Sequence, residues 1–314
     1  MAQPTLKHVG NFDPSTDAAM LRKAMKGLGT DEASIINILA NRTSDQRQKI
    51  SSAFKQEYGK DLAKELKKEL SGHFERVVLA LLVPTTELLA DHVHEAFKGV
   101  GTNEDTLVEI LCTRNNKEIK ELKSVYEHKF DKSLQKSLEK ETSGHFRSLL
   151  IAMTSGERDE GNIDLELAPK LAERLYQAGE GRDGTDEAEF IRILSSYSYP
   201  LLLAVFLAYK KTYDKSLTDA IKSEFVGNLQ NGLLAVVSSI KNRPKFYAKC
   251  LHDAMEGIGT KDDALIRLVV TRAEIDLGTI KHEYEKKYGK SLESRIKSDT
   301  TGDYEKMLVA LVDG

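Results

Sequence analysis

The sequence predicts an all-α protein built from four similar units. A short glycine-containing stretch, MKGLGTDE at residues 25–32, returns three times along the 314-residue chain. The Gly-Thr pair of each copy begins at position 29, 101, 184 or 259, so that the gaps are 72, 83 and 75 residues. The segments between the copies show the apolar period of helices, and none shows a strong strand period. A segment of this length that returns four times indicates an internal repeat.

The period and the prolines indicate where the units begin and end. Pro84, Pro169 and Pro244 lie near unit boundaries, where a proline does not interrupt a helix. We expect the connector to divide the chain into halves and the tail to lie as a strap over the body. The predicted segments are a short tail at 1–14, a first repeat at 15–86, a second at 87–155, a connector at 156–168, a third repeat at 169–243 and a fourth at 244–314.

Each unit is predicted to contain five short helices, as the first unit illustrates. Thr30 is expected to cap its second helix and Ser44 its third, because threonine and serine side chains accept hydrogen bonds from the first turn. In this unit the first helix is predicted over residues 17–26, the fourth over 61–70 and the fifth over 74–83. The other three units show the same succession of segments.

The composition argues against several classes of function. A formal net charge of −3 disfavours nucleic-acid binding and purely electrostatic binding to anionic lipids, both of which need basic surfaces. Two cysteines provide neither a disulfide framework nor a zinc cluster. No signal-peptide pattern, membrane-spanning apolar run, nucleophile elbow, P-loop or dinucleotide fingerprint is recognised. We therefore expect no enzyme, and positive charge at any anionic surface must come from a bound group.

The repeated loop has the chemistry of a calcium site. Two glycines around one residue, between two helices, allow a tight turn whose carbonyl oxygens lack helical partners. Calcium binds six to eight oxygens, including carbonyls and bidentate carboxylates. An acid follows the second glycine by forty residues in every unit, at Glu69, Glu141, Glu224 and Asp299. The alternative is that these acids cap or precede the last helix. Capping alone would not require the glycine loop to repeat with them.

This combination of loop, distant acid and four units resembles the annexin family over residues 15–314. A longer link between the second and third units is part of the resemblance. No EF-hand loop occurs. The resemblance implies that helices A, B, D and E of each repeat are bundled and that helix C lies across them. It also implies a curved disc with the calcium loops on its convex face.

The resemblance implies a calcium site in each repeat, made of three loop carbonyls and the distant carboxylate. Weaker secondary sites would use the threonine carbonyl and the acid two residues later. The primary ligands would be Met25, Gly27, Gly29 and Glu69; Phe97, Gly99, Gly101 and Glu141; Gly179, Arg182, Gly184 and Glu224; and Met255, Gly257, Gly259 and Asp299. The secondary ligands would be Thr30 with Glu32, Thr102 with Glu104, Thr185 with Glu187, and Thr260 with Asp262.

The tips of the loops are candidates for contact with lipid. Leu28, Val100 and Ile258 are apolar, whereas Asp183 at the third tip puts the insertion of that loop in doubt. They are also compatible with being variable loop residues.

The implied function is reversible, calcium-dependent binding to anionic phospholipids such as phosphatidylserine. Trimers on the membrane, a role in membrane organisation or trafficking, and inhibition of phospholipases and coagulation by surface coverage are also implied. The implied location is cytoplasmic, peripheral on membranes when calcium rises, with an extracellular location reached without a signal peptide as a second one. The alternatives are a calcium-independent scaffold of helical repeats and an ion channel along Glu109 and Arg114. A partner of the tail is not indicated.

Overall fold

The computed structural model describes residues 2–27, 29–99, 101–161 and 164–314. Over these residues the chain forms helices and no β-strand, which confirms the predicted all-α class. None of the described helices is both long and apolar enough to cross a bilayer. The helices are α1 Pro14–Ala24, α2 Glu32–Leu39, α3 Ser44–Tyr58, α4 Leu62–Glu69, α5 Gly72–Leu82, α6 Thr85–Ala96, α7 Glu104–Leu111, α8 Asn116–Phe130, α9 Leu134–Glu141, α10 Gly144–Met153, α11 Leu167–Ala178, α12 Glu187–Ser196, α13 Tyr199–Tyr213, α14 Leu217–Glu224, α15 Gly227–Ala254, α16 Asp262–Arg272, α17 Leu277–Tyr288, α18 Leu292–Asp299 and α19 Gly302–Asp313.

The long helix α15 contains the junction between the third and fourth repeats. Its backbone leaves helical geometry at Asn242, with φ −165° and ψ 95°, two residues before Pro244. The side chain of Asn242 accepts a hydrogen bond of 2.9 Å from the backbone N–H of Lys245, as a helix cap does. Because α15 is two helices end to end, the helices of the described chain form four sets of five, as predicted.

Two of the expected helix caps are wrong by one residue. Thr43, and not Ser44, caps α3, because its hydroxyl accepts from the N–H of Gln46 and the Gln46 side chain reaches back to Thr43. Asp31, and not Thr30, caps α2, with its carboxylate accepting from the N–H of Ser34 at 3.0 Å. A carboxylate also suits the positive end of the helix dipole. The threonine before the cap is therefore available for another role.

The helices pack into two compact units, one made of the first and fourth repeats and the other of the second and third. One unit extends to Leu88 and includes Tyr247–Gly314, and the other is Leu89–Phe246. In the first, α5 packs on α16 and α19 packs on α2, and in the second α10 packs on α12. The expectation that the connector 156–168 divides the chain into halves is therefore wrong, because the repeats on its two sides share a unit.

The amino-terminal tail lies against the fourth repeat, as a strap. The backbone N–H of Thr5 donates to the carbonyl of Ala273 at 2.9 Å, and its hydroxyl donates to the carbonyl of Leu311 at 2.7 Å. Gly278 permits this close approach, since a Cβ there would lie 2.8 Å from the carbonyl oxygen of Gln3. Helix α17 thus meets the tail directly, backbone against backbone.

Candidate calcium sites

Each repeat has a glycine loop between its first and second helices, at residues 25–31, 97–103, 179–186 and 255–261. One backbone hydrogen bond closes the base of every glycine loop, from the residue before the second helix to the last carbonyl of the first. The pairs are Asp31 with Ala24 (2.9 Å), Asn103 with Ala96 (2.8 Å), Asp186 with Ala178 (2.7 Å) and Lys261 with Ala254 (2.8 Å). The extra residue of the third loop is therefore accommodated without changing how its ends meet.

Seven of the nine glycines in these loops adopt backbone conformations that other residues avoid. Gly27 and Gly29 have φ of 110° and 92°, in the left-handed region. Such a backbone cannot continue the helix, so the loop carbonyls remain outside the helical hydrogen bonds and are free to meet a cation. Positive φ occurs likewise at Gly99, Gly101, Gly184, Gly257 and Gly259.

The four distant acids stand where local structure disfavours them. Glu69, Glu141, Glu224 and Asp299 are the last residues of α4, α9, α14 and α18. The C-terminus of a helix carries partial negative charge, so a carboxylate there loses rather than gains stability. They precede the last helix of each repeat but do not cap it, because the N-cap positions of α5, α10 and α19 are Ser71, Ser143 and Thr301. A cation provides a reason for acids at this position that helix capping does not.

The threonine after the second glycine connects the glycine loop to the distant acid in three repeats. The Thr102 hydroxyl donates to the backbone carbonyl of Glu141 at 3.0 Å. The hydroxyls of Thr185 and Thr260 donate to carboxylate oxygens, with distances of 2.8 Å to Glu224 and 2.7 Å to Asp299. Residues 39 positions apart in the chain are thus in contact. In the first repeat Glu69 is exposed, and Leu28 of its glycine loop lies outside the described residues.

The chemistry of these donors fits calcium better than a transition metal. Among the described residues, no three His, Cys, Asp or Glu side chains are grouped to hold a metal ion together. Each candidate site instead combines backbone carbonyls with a single carboxylate. Calcium takes such oxygen sets, whereas zinc prefers cysteine sulfur and histidine nitrogen.

Comparison with known proteins identifies the family. The family model described as Annexin matches four segments, residues 16–81, 89–153, 170–236 and 246–311. The chain belongs to the annexin family. This family is known for calcium-dependent binding to phospholipid, and the resemblance expected from the sequence is confirmed.

Several annexins are similar to this one over nearly all of its length. Human annexin A7 is 48% identical over 99% of this chain, which spans 64% of that protein. Canine annexin A13 is 46% identical, with 96% of each chain covered. The chain thus spans less than two thirds of annexin A7, and also 62% of human annexin A11.

Solved structures of annexins have the same fold. Annexin III superposes with a TM-score of 0.97 at 43% identity, covering 99% of this chain and 97% of that one. A structure titled calcium-bound annexin (Sm)1 has a TM-score of 0.89 at 37% identity, covering 100% of this chain and 93% of that one. Four repeats on an annexin fold are therefore shown for this chain.

The third site of this annexin places its acid directly beside the start of the glycine loop. A Cβ at Gly179 would lie 3.2 Å from Cγ of Glu224 and 3.3 Å from the ring of Phe190. A side chain here would therefore require Glu224 or the Phe190 ring to shift by about a few tenths of an ångström. The Gly179 carbonyl also accepts a hydrogen bond of 3.1 Å from the N–H of Arg182, and its second lone pair is left for a further partner.

The fourth site already contains a cation from the protein itself. Nη2 of Arg295 donates to the carbonyl of Met255 and lies 3.3 Å from Oδ1 of Asp299. These are two of the predicted calcium ligands, so one nitrogen atom contacts both. The Met255 carbonyl and the Asp299 carboxylate thus lie within reach of one cationic nitrogen, a contact of Arg295 to which sequence reasoning had assigned no role.

The acids of the secondary sites have simpler explanations than those of the primary sites. Each stands in the first turn of its helix, where the dipole stabilises negative charge. Glu187 lies 3.8 Å from Nε2 of His145, and Asp262 lies 3.5 Å from Nε2 of His73. Secondary calcium sites thus remain a prediction with less structural support than the primary ones.

The loop tips differ in what they expose. Ile258 is fully exposed, and Leu28 and Val100 lie outside the described residues. At the third repeat Asp183 is exposed, but Val226 beside the acid of that repeat is 86% exposed. The other repeats have Ser71, Ser143 and Thr301 at the position of Val226. Alignment of the four acid-containing segments would have revealed this apolar residue from sequence alone.

Proposed function

We propose that this annexin binds anionic phospholipid membranes reversibly and only when calcium is present. The observation that carries the proposal is an acid at the unfavourable end of a helix in every repeat, in contact with the glycine loop in three of them. Threonine hydroxyls hold the two together in repeats two, three and four. No other feature of the described fold accounts for a carboxylate at this position in all four repeats.

The proposed ligands are the primary sets named from the sequence, with three carbonyls and one carboxylate in each repeat. Bidentate coordination by the carboxylate brings the oxygens to five, which leaves one or more of the positions calcium fills. Bound calcium supplies the positive charge that a chain of net charge −3 lacks, together with an open position for a phosphate oxygen. The chain itself contributes the shape of the loop, the anionic ligand and the apolar residues around it.

Apolar residues beside the loops strengthen contact with the lipid interface. Ile258 serves the fourth repeat, and Val226 serves the third, where the tip of the glycine loop is the polar Asp183. Leu28 and Val100 are proposed to do the same at the first two repeats. In this arrangement the third repeat has moved its apolar contact from the glycine loop to the segment that follows its acid.

Binding of this kind places the protein peripherally on membranes when calcium rises and leaves it unbound at low calcium. We propose phosphatidylserine-type lipids as the partner, a cytoplasmic location with export that needs no signal peptide, and assembly into trimers on the surface. Inhibition of phospholipases or coagulation would follow from coverage of the lipid surface and needs no catalytic step.

Co-sedimentation with vesicles tests the proposal. The wild type should sediment with phosphatidylserine vesicles in calcium, return to the supernatant with EGTA, and ignore pure phosphatidylcholine vesicles. Glu224→Gln removes the negative charge of one site and should raise the calcium concentration needed. Glu173→Gln, an exposed acid on α11 outside the loops, is the matched control and should behave as wild type. Sedimentation that is equal in EGTA and calcium would refute the proposal and favour a scaffold independent of calcium.

A further inference from the structure

Arg295 contacts two of the predicted calcium ligands of the fourth repeat. It lies on α18, four residues before Asp299, so the two side chains share one face of the helix. Its guanidinium bridges the Met255 carbonyl and the Asp299 carboxylate. The side chain of Arg295 is 27% exposed and that of Asp299 is 18% exposed. The bridge therefore spans the fourth candidate site in a partly desolvated environment, where charge pairs are stronger than in open water.

The other three repeats have no cation at this position. The residues four places before their acids are Glu65, Ser137 and Ala220. Glu65 is itself an acid, and it pairs with Lys60 at 3.0 Å, Lys68 at 2.6 Å and Arg22 at 3.6 Å. In the second repeat Lys140 pairs with Glu141 at 2.9 Å, but its side chain is 81% exposed and contacts only the carboxylate, so this pair is weak. A guanidinium that contacts both a loop carbonyl and the distant acid is described in the fourth repeat alone.

The guanidinium of Arg295 can be displaced from these two contacts at little cost. Nε of Arg295 is buried and has no hydrogen-bond partner among the described residues. An unsatisfied buried donor costs free energy that is recovered when the side chain swings into water. A divalent ion that binds the same two ligands can therefore displace it, but only after competing with a cation that is always present.

We propose that Arg295 is an internal competitor for calcium at the fourth loop. The guanidinium and a calcium ion need the same carbonyl and the same carboxylate, and their positive charges repel. The fourth loop therefore fills at higher calcium than the other three, so that membrane engagement proceeds in two stages as calcium rises. This inference rests on the proposed function, since it assumes that calcium binds the other loops.

Isothermal titration with calcium chloride, without lipid, isolates the fourth site. The starting protein is the full chain with Glu69→Gln, Glu141→Gln and Glu224→Gln, which leaves Asp299 as the remaining primary acid. Addition of Arg295→Met keeps a long unbranched side chain but removes the charge. We expect calcium to bind at least about tenfold more tightly after this change, which corresponds to about 1.4 kcal/mol. Further addition of Asp299→Asn should abolish the gain.

A charge-matched control separates local competition from net charge. Arg174→Met removes one positive charge from a half-exposed arginine on α11 that pairs with Glu189, and should leave calcium binding in the same background unchanged. Equal calcium affinity with Arg295 and with methionine would overturn the inference, as would an equal gain from Arg174→Met. If the wild type bound no calcium at all, the proposed function itself would fail. That result differs from equal affinity of the Arg295 and methionine proteins, which overturns only the inference about Arg295. Unchanged thermal melting of the variants confirms that each is folded.

Discussion

Val226 offers the sharpest test of how the third repeat meets a membrane. Its side chain is 86% exposed beside Glu224, so nearly all of its apolar surface is available to an interface. Full burial of a valine is worth about 1.5–3 kcal/mol. A residue that enters the interface only in part should contribute about 1 kcal/mol. The substitution Val226→Ser, which introduces the residue found at positions 71 and 143, should therefore weaken vesicle binding about fivefold.

The assay is binding to phosphatidylserine vesicles at a fixed, subsaturating calcium concentration, with lipid titrated. Leu207→Ser is the matched control, because Leu207 is also apolar and 72% exposed but lies on α13, outside the loops. We expect Val226→Ser to lose affinity for vesicles while keeping its calcium affinity in the absence of lipid, and Leu207→Ser to match wild type in both. Equal vesicle affinity for the two variants would refute the placement of Val226 at the interface.

Three further predictions concern the site and the core. Gly179→Ala should weaken calcium binding at the third loop, measured by titration calorimetry, because the added Cβ would lie 3.2 Å from the side chain of the distant acid; unchanged affinity would contradict this. The carboxylate of the buried Asp276 pairs with Arg272 at 2.7 Å, and Arg272→Leu removes this partner. The substitution should lower the free energy of unfolding by about 3–5 kcal/mol in urea titrations. A loss below about 1 kcal/mol would count against this prediction. Burial raises the pKa of the Cys112 thiol to about 12, so this thiol stays protonated at pH 8. Mass spectrometry should show that Cys112 resists iodoacetamide while the half-buried Cys250 reacts. Rapid labelling of Cys112 in the native protein would be inconsistent with this burial.

Much of the fold and the candidate site was predictable because repetition makes weak signals add up. One Gly-x-Gly-Thr loop or one acid has little meaning, but four loops with an acid at a constant offset of forty residues require a common structural cause. The offset survives the longer third loop because its extra residue lies before Gly184, from which the forty residues are counted. The helical class followed from apolar periodicity alone.

What escaped prediction depends on contacts between distant residues. The periodicity of α18 places Arg295 one turn from Asp299, but it does not show that the guanidinium reaches back to Met255. The pairing of the first repeat with the fourth was likewise hidden, because the length of a connector does not determine which repeats pack together. The helix caps were misplaced by one residue because Thr, Ser and Asp all cap well and stand side by side, as at Thr30 and Asp31.

The most direct test of calcium bridging between this chain and phospholipid uses a variant whose four distant acids are amides. It carries Glu69→Gln, Glu141→Gln, Glu224→Gln and Asp299→Asn, and its circular dichroism spectrum and melting temperature verify the fold. Co-sedimentation with phosphatidylserine vesicles is followed across a calcium titration beside wild type. We predict that wild type binds and releases with chelator, whereas the variant stays in the supernatant up to millimolar calcium. Equal binding by the variant and wild type would contradict the assignment of these acids as calcium ligands.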